Sequence, residues 1–349
     1  MWKLFRSGRA ESEGVVQGSG ANLYVTRESV AAGDDIDAPH ARTFALPAGT
    51  SLETALATVI SARYLPSISG GLATWSVASG IPLAVIALLL AAVGAFATIA
   101  ALAQSPDVTL TRLDCGTGFN DSRRFSDTFA YTDPKVPFTF SCYVVKHGDD
   151  YMVWDTGFVP GSNPNAPKVS LTDQLAQLKI KPEQVKYVGI SHFHGDHTGQ
   201  LPSLPGATLL IGQREWEALT APKPMQGANV DAFKHWTSGG GKVEPQPADK
   251  DVFGDGTVTI LRTPGHTPGH QSLLVRLKEK GPVILIGDAA HFHENYESNG
   301  VPGFNYDRAE TIASIERIKG IAKNLKATVI IQHDPRDINK LPAFPAAAK

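Results

Sequence analysis

The spacing of apolar and polar positions divides the chain of 349 residues into three textures. Residues 1–63 mix apolar and charged positions with little period, and a Gly- and Ser-rich stretch leads on to residue 80. Within them, residues 21–25 and 42–46 read as short strands, and a helical spacing begins at residues 52–56. No Asp, Glu, Lys or Arg occurs between Arg63 and Asp107, and inside that gap residues 81–103 are apolar apart from Thr98. A run of that length spans a bilayer as a helix, whereas a helix buried in a soluble core is usually shorter and amphipathic. Its end, Ala101-Leu102-Ala103, has the small-residue pattern at which a signal peptide is cut, which would start the mature chain near Gln104. Residues 1–80, to which no chemistry can be assigned, precede a segment that in a signal peptide should lie near the start.

From residue 104 to 349 the texture is that of an α/β domain. Residues 108–113, 138–145 and 151–154 have the spacing of strands, and Gly148-Asp149-Asp150 forms a hairpin turn between the last two. Residues 185–190, 208–211, 257–261, 272–275, 283–286 and 328–331 read as further short strands. Ser170 and Asp173 cap a helix over residues 171–178. Asp307 and Glu310 cap a longer helix whose apolar positions are Ile312, Ile315, Ile318 and Ile321.

Chemistry-bearing residues fall just past the ends of these strands: Asp155, His192, Asp288 and His333. The densest group is His192-Phe193-His194-Gly195-Asp196-His197, with three imidazoles and a carboxylate in six positions of a chain holding only 11 histidines. Imidazole and carboxylate suit a borderline ion such as Zn²⁺. Four donors so close in sequence cannot all reach one ion, and alternate residues pointing in different directions favour two ions side by side. Asp155 reads as a turn residue that orients a metal-bound imidazole through its second nitrogen.

A net charge of −2, with charged residues at 19%, gives no electrostatic footprint for nucleic acid. Cys115 and Cys142 cannot build a disulfide framework and form no C-x-x-C clip. One disulfide between them or two buried free thiols are both open readings.

Over about residues 107–345 the sequence resembles the metallo-β-lactamase superfamily. The resemblance is carried by VWDTG (153–157), SHFHGDHTG (191–199), TPGHTPGHQS (263–272), IGDAAHF (286–292) and IQHD (331–334). Together with NYDRAETIASIERIK (305–319), these pieces are most similar to the N-acyl-homoserine lactonases, which quench quorum signals. The resemblance implies an αββα sandwich with metals at one edge. It implies that His192, His194 and His270 hold one ion, that Asp196, His197 and His333 hold the second, and that Asp288 bridges both. His266, four residues before His270, is the competing donor. Two Zn²⁺ ions, or other divalent transition metals, are the implied cofactors. The implied enzyme is a metal-dependent hydrolase of carboxylic ester bonds that opens a lactone ring with a metal-bridging hydroxide, Asp196 passing the proton to the leaving oxygen.

Two departures from that family stand out. The better-known lactonases carry a tyrosine three residues after the bridging aspartate, where this chain has His291, expected to assist substrate binding and to give activity a steeper acid limb. Gly195 sits where a bulkier residue often occurs and would open space beside the metals, with Phe119, Phe138, Phe292 and Phe304 as acyl-pocket or core residues. His293 has no assignable position. The other readings are a phosphotriesterase, thioesterase or β-lactamase on the same metals, or a non-catalytic membrane-anchored metal-binding module. The expected partners are a small lactone and, unless it is cleaved, a membrane through residues 81–103. The expected location is periplasmic or otherwise extracytoplasmic, secreted or anchored.

Overall fold

The computed structural model describes residues 21–26, 41–46, 107–130 and 135–349. The apolar run of residues 81–103 and the helical spacing at residues 52–56 lie outside the described residues. Among the described residues, no helix is long and apolar enough to cross a membrane. The chain divides into two units, Met1–Ile99 and Ala100–Lys349. In the first, β1 (Ala21–Thr26) and β2 (Ala41–Leu46) pair antiparallel, Ala21 opposite Leu46.

The second unit holds two sheets. The six-stranded sheet runs in the order β3 (Val108–Asn120), β4 (Val136–His147), β5 (Asp150–Trp154), β6 (Val185–Gly189), β7 (Thr208–Gly212), β8 (Val243–Gln246). Pairing is antiparallel from β3 to β5 and parallel from β5 to β8. The five-stranded sheet runs β13 (Thr328–Ile330), β12 (Gly281–Leu285), β11 (Gln271–Leu277), β10 (Val258–Arg262), β9 (Lys250–Asp251). Only its β12–β13 pair is parallel.

Strands buried on both faces explain the near-continuous apolar runs in the sequence. Met152, Trp154, Leu210, Leu273, Val275, Val283 and Leu285 pack together between the sheets. Their neighbours along the strands, Val153, Leu209 and Ile211, turn to the outer face of the six-stranded sheet. There they meet Leu171 and Leu175 of α1 (Leu171–Gln177) and Leu219 of the helix that follows β7. Ile284 and Ile286 turn to the opposite outer face and meet Ile315 and Ile318 of α6 (Arg308–Leu325). Each fully buried aliphatic side chain contributes roughly 1.5–3 kcal/mol. The product is helix, sheet, sheet, helix, the layering that the resemblance implies.

The two predicted caps form: Ser170 accepts from the Asp173 N–H at 3.1 Å, and Asp307 from that of Glu310 at 2.8 Å. The predicted hairpin at Gly148 forms as well, with Gly148 at φ 57°. β3 runs well past residue 113 because a bulge between Asp114 and Gly116 lets it keep pairing with β4. Cys115 and Cys142 are joined in a disulfide across these two strands. Strands β8 and β9 were not anticipated; they are short and half-exposed and lack a strong apolar alternation.

Candidate metal centre

Four strands bring donors to one edge of the sandwich. Asp155 follows β5, the loop of residues 190–197 follows β6, Asp288 follows β12 and His333 follows β13. The edges of the two sheets are tied there by backbone bonds. The Gln271 N–H donates to the Ser191 carbonyl at 2.9 Å, and the Thr139 N–H to the His333 carbonyl at 3.1 Å.

The donors converge in two groups, His192, His194, His266 and Asp288, and Asp196, His197, Asp288 and His333, each with its donor atoms within 4.8 Å of one another. In the first, His192 Nε2 and His194 Nδ1 lie 2.8 Å apart, and His266 Nε2 is 3.2 Å from His194 Nδ1. Asp288 Oδ2 stands 3.4 Å from His266 Nε2 and 3.7 Å from His192 Nε2. In the second, Asp288 Oδ1 stands 2.9 Å from His333 Nε2 and 3.2 Å from His197 Nε2. Asp196 Oδ2 is 3.4 Å from His197 Nε2 and 3.7 Å from His333 Nε2. Tetrahedral zinc with bonds of about 2.0–2.1 Å sets its donors about 3.3 Å apart. Each oxygen of Asp288 therefore faces a different trio of donors.

Unpaired atoms point the same way. Nε2 of His197, Nε2 of His333 and Oδ1 of Asp288 are buried without a hydrogen-bond partner. Such an atom costs about 1–3 kcal/mol, and a cation among them would satisfy all three. Burial holds the His192 and His266 imidazoles well below their usual pKa, leaving their lone pairs free. Burial alone would also lower His197, but Asp288, Asp196 and Asp155 outweigh it and hold that imidazole well above its usual value. Burial works against ionisation of Asp196, yet His197 and His333 bring it down to about 2. The cluster thus gathers ionised carboxylates that call for positive charge.

Other side chains fix the rings. His197 Nδ1 donates to Asp155 Oδ2 at 2.9 Å, and the Ser191 N–H and hydroxyl donate to the same carboxylate at 2.6 and 3.0 Å. His192 Nδ1 donates to Ser191 Oγ at 3.0 Å, and His333 Nδ1 to the Thr139 carbonyl at 2.9 Å. Each of these bonds sets a tautomer that leaves Nε2 facing the centre.

The assignment of His270 is corrected by this geometry. His270 Nδ1 donates to the Thr263 carbonyl at 2.9 Å, and its Nε2 accepts the Asp288 N–H at 3.0 Å, so no lone pair remains for an ion. It belongs to neither donor group, and His266 takes its place. His270 instead pins the backbone of Asp288. A Cβ on Gly287, at φ 55°, would meet His270 Nε2 at 2.8 Å, so this close approach needs glycine.

His291 Nε2 lies 3.1 Å from Asp288 Oδ2, its Nδ1 is buried without a partner, and Phe125 packs on the ring at 4.8 Å. His293 turns away and pairs with Asp337 at 2.7 Å. Phe138 stacks on His333 at 4.1 Å, and Phe292 is buried against Phe138. Phe304 is 43% exposed, with His291 at 5.9 Å, whereas Phe119 is 67% exposed at the end of β3. Glu215 gave no sign in the sequence. It is fully buried beside both donor loops, and burial pushes its carboxyl up to about 7 against the N–H bonds it accepts from Gly269 and Phe193.

A family model described as Metallo-beta-lactamase superfamily matches residues 137–333. The chain is 36% identical over 190 residues to the N-acyl homoserine lactonase AttM of Rhizobium radiobacter, covering 49% of this chain and 68% of that one. It is 28% identical over 221 residues to an N-acyl homoserine lactonase of Bacillus sp, covering 58% and 84%. Among solved structures, an N-acyl homoserine lactone hydrolase with the product N-hexanoyl-L-homoserine at its catalytic metal center superposes with a TM-score of 0.60. Identity is 23%, over 70% of this chain and 100% of that one. AidC, a dizinc quorum-quenching lactonase, superposes at 0.54 with 17% identity, over 70% and 90%.

Proposed function

Because the chain belongs to the metallo-beta-lactamase superfamily, we propose that it is a two-metal hydrolase that opens the lactone ring of N-acyl-homoserine lactones. The observation that carries the metal half of this reading is Asp288, whose two oxygens face separate histidine groups. The likeness to the lactonases of Rhizobium radiobacter and Bacillus sp supports the substrate half.

His192, His194 and His266 would hold one ion, Asp196, His197 and His333 the other, and Asp288 both. The mixed nitrogen and oxygen donors suit Zn²⁺. When bound, such a pair of ions supplies Lewis acidity and a water that is acidic near neutral pH. The side chains do the rest. Asp196, ionised and 21% exposed, would accept a proton from the attacking water and return it to the departing ring oxygen. His291, neutral at pH 7 because burial lowers its pKa, would donate a hydrogen bond to a substrate carbonyl as the Nδ1–H tautomer, with Nε2 left as the unprotonated nitrogen beside Asp288. The half-exposed ring of Phe304 offers the acyl chain an apolar surface, whereas Phe138 and Phe292 serve the core.

The test is a substrate panel on the metal-loaded protein and on His291→Phe. Mass spectrometry should find N-acyl-homoserine as the product of the wild type, lost on chelation and restored by Zn²⁺. Loss of the His291 hydrogen bond should lower kcat/KM about tenfold, equivalent to about 1.4 kcal/mol. Faster hydrolysis of a phosphotriester, a thioester or a β-lactam than of any acyl-homoserine lactone would replace this reading.

A further inference from the structure

We propose that Glu215 is a positioning residue of the metal centre: its buried carboxylate clamps the loop carrying His192 and His194 to the loop carrying His266. This inference rests on the reading that these three imidazoles hold an ion.

Glu215 lies in the first turn of α3 (Gln213–Thr220) and has no solvent exposure. Its Oε1 accepts the Phe193 N–H at 2.8 Å, and its Oε2 accepts the Gly269 N–H at 2.8 Å. Phe193 is the peptide between His192 and His194, and Gly269 is three residues beyond His266. The first loop leaves β6 of one sheet, and the second leads into β11 of the other. One side chain therefore sets the spacing between loops that belong to different layers.

The packing is built for this contact. A Cβ on Gly269 would meet the Glu215 nitrogen at 2.2 Å, and a Cβ on Gly212 would meet the Gly269 carbonyl oxygen at 2.0 Å. Glycine at both positions lets helix and loop touch. Among the described residues, no lysine or arginine is paired with Glu215; the adjacent Arg214 bonds to Glu310 at 2.7 Å. A carboxylate buried without a counter-ion is costly, and here the two backbone N–H groups it accepts at 2.8 Å offset that cost. The second donor group has separate supports in Asp155 and Thr139, so the clamp should act on one ion only.

Glu215→Gln keeps the shape but puts an NH₂ against one N–H donor. Zn²⁺ affinity is measured by calorimetry against a competing chelator in two backgrounds. In His333→Ala, where the His192, His194 and His266 group remains whole, Glu215→Gln should weaken Zn²⁺ binding tenfold or more. In His266→Ala, where the other group remains whole, it should leave the affinity unchanged. Equal weakening in both backgrounds, or none in either, overturns the clamp. Hydrogen exchange of wild-type protein needs no variant to fold. Protected amides at Phe193 and Gly269 with and without Zn²⁺ support the clamp, and free exchange at either overturns it. Wild-type protein that takes up no Zn²⁺ would overturn the metal reading first, and this inference with it.

Discussion

At the level of single residues, the sharpest contrast is between His266 and His270, four positions apart on one loop. One presents Nε2 to the donor cluster, and the other spends both nitrogens on Thr263 and Asp288. Their substitutions should fail in different ways. His266→Ala should bind one Zn²⁺ equivalent tightly where the wild type binds two. His270→Ala should keep both equivalents while losing about 1–3 kcal/mol of stability, because the Asp288 N–H is left buried and unpaired. Metal analysis beside thermal unfolding checks this, and two tight equivalents in His266→Ala would return His270 to the ligand set. Sequence alone could not separate the pair. Both stand in a loop rich in glycine and proline, which has no period to say which ring turns inward. Glu215 was harder still, since a glutamate amid Arg214, Trp216 and Glu217 on a helix reads as a solvated face.

At the level of elements, what the sequence disclosed follows from burial. The core strands are covered on both sides, so they write themselves as apolar runs, and the histidines and aspartates just past β6, β12 and β13 stand out at the ends of those runs. Short edge strands such as β8 leave no such trace. The aromatic residues were equally opaque, because Phe138 and Phe304 look alike in sequence while one stacks on His333 and the other meets solvent. The short helix α2 (Gly195–Thr198) carries a prediction of its own. A Cβ at Gly195 meets nothing within 4 Å, so a side chain there fits without strain. Gly195 adjoins the donor Asp196 in the chain. Gly195→Phe should therefore leave Zn²⁺ content and Tm unchanged and alter KM across a series of acyl lengths. A uniform change in kcat at every length, with KM constant, would show that the position does not touch the chain.

At the level of the whole molecule, each donor group draws on both sheets. His192, His194, Asp196 and His197 hang from the six-stranded layer, and His266, Asp288 and His333 from the five-stranded one. Binding an ion is thus coupled to keeping the sandwich closed. Free Zn²⁺ at one hundred times its Kd should add about 2.7 kcal/mol per site. For a unit of this size that is a rise in Tm of roughly 5–10 °C per ion, removed by chelator and readable by calorimetry. A Tm indifferent to chelator would mean that the layers hold together without help from the centre.

Donors that hang from strand ends have one more consequence. The framework fixes where the ions would sit, and the loops between strands decide which molecule can reach them. Descendants of such a chain can acquire new clients by redrawing the rim, with the reactive hub inherited intact.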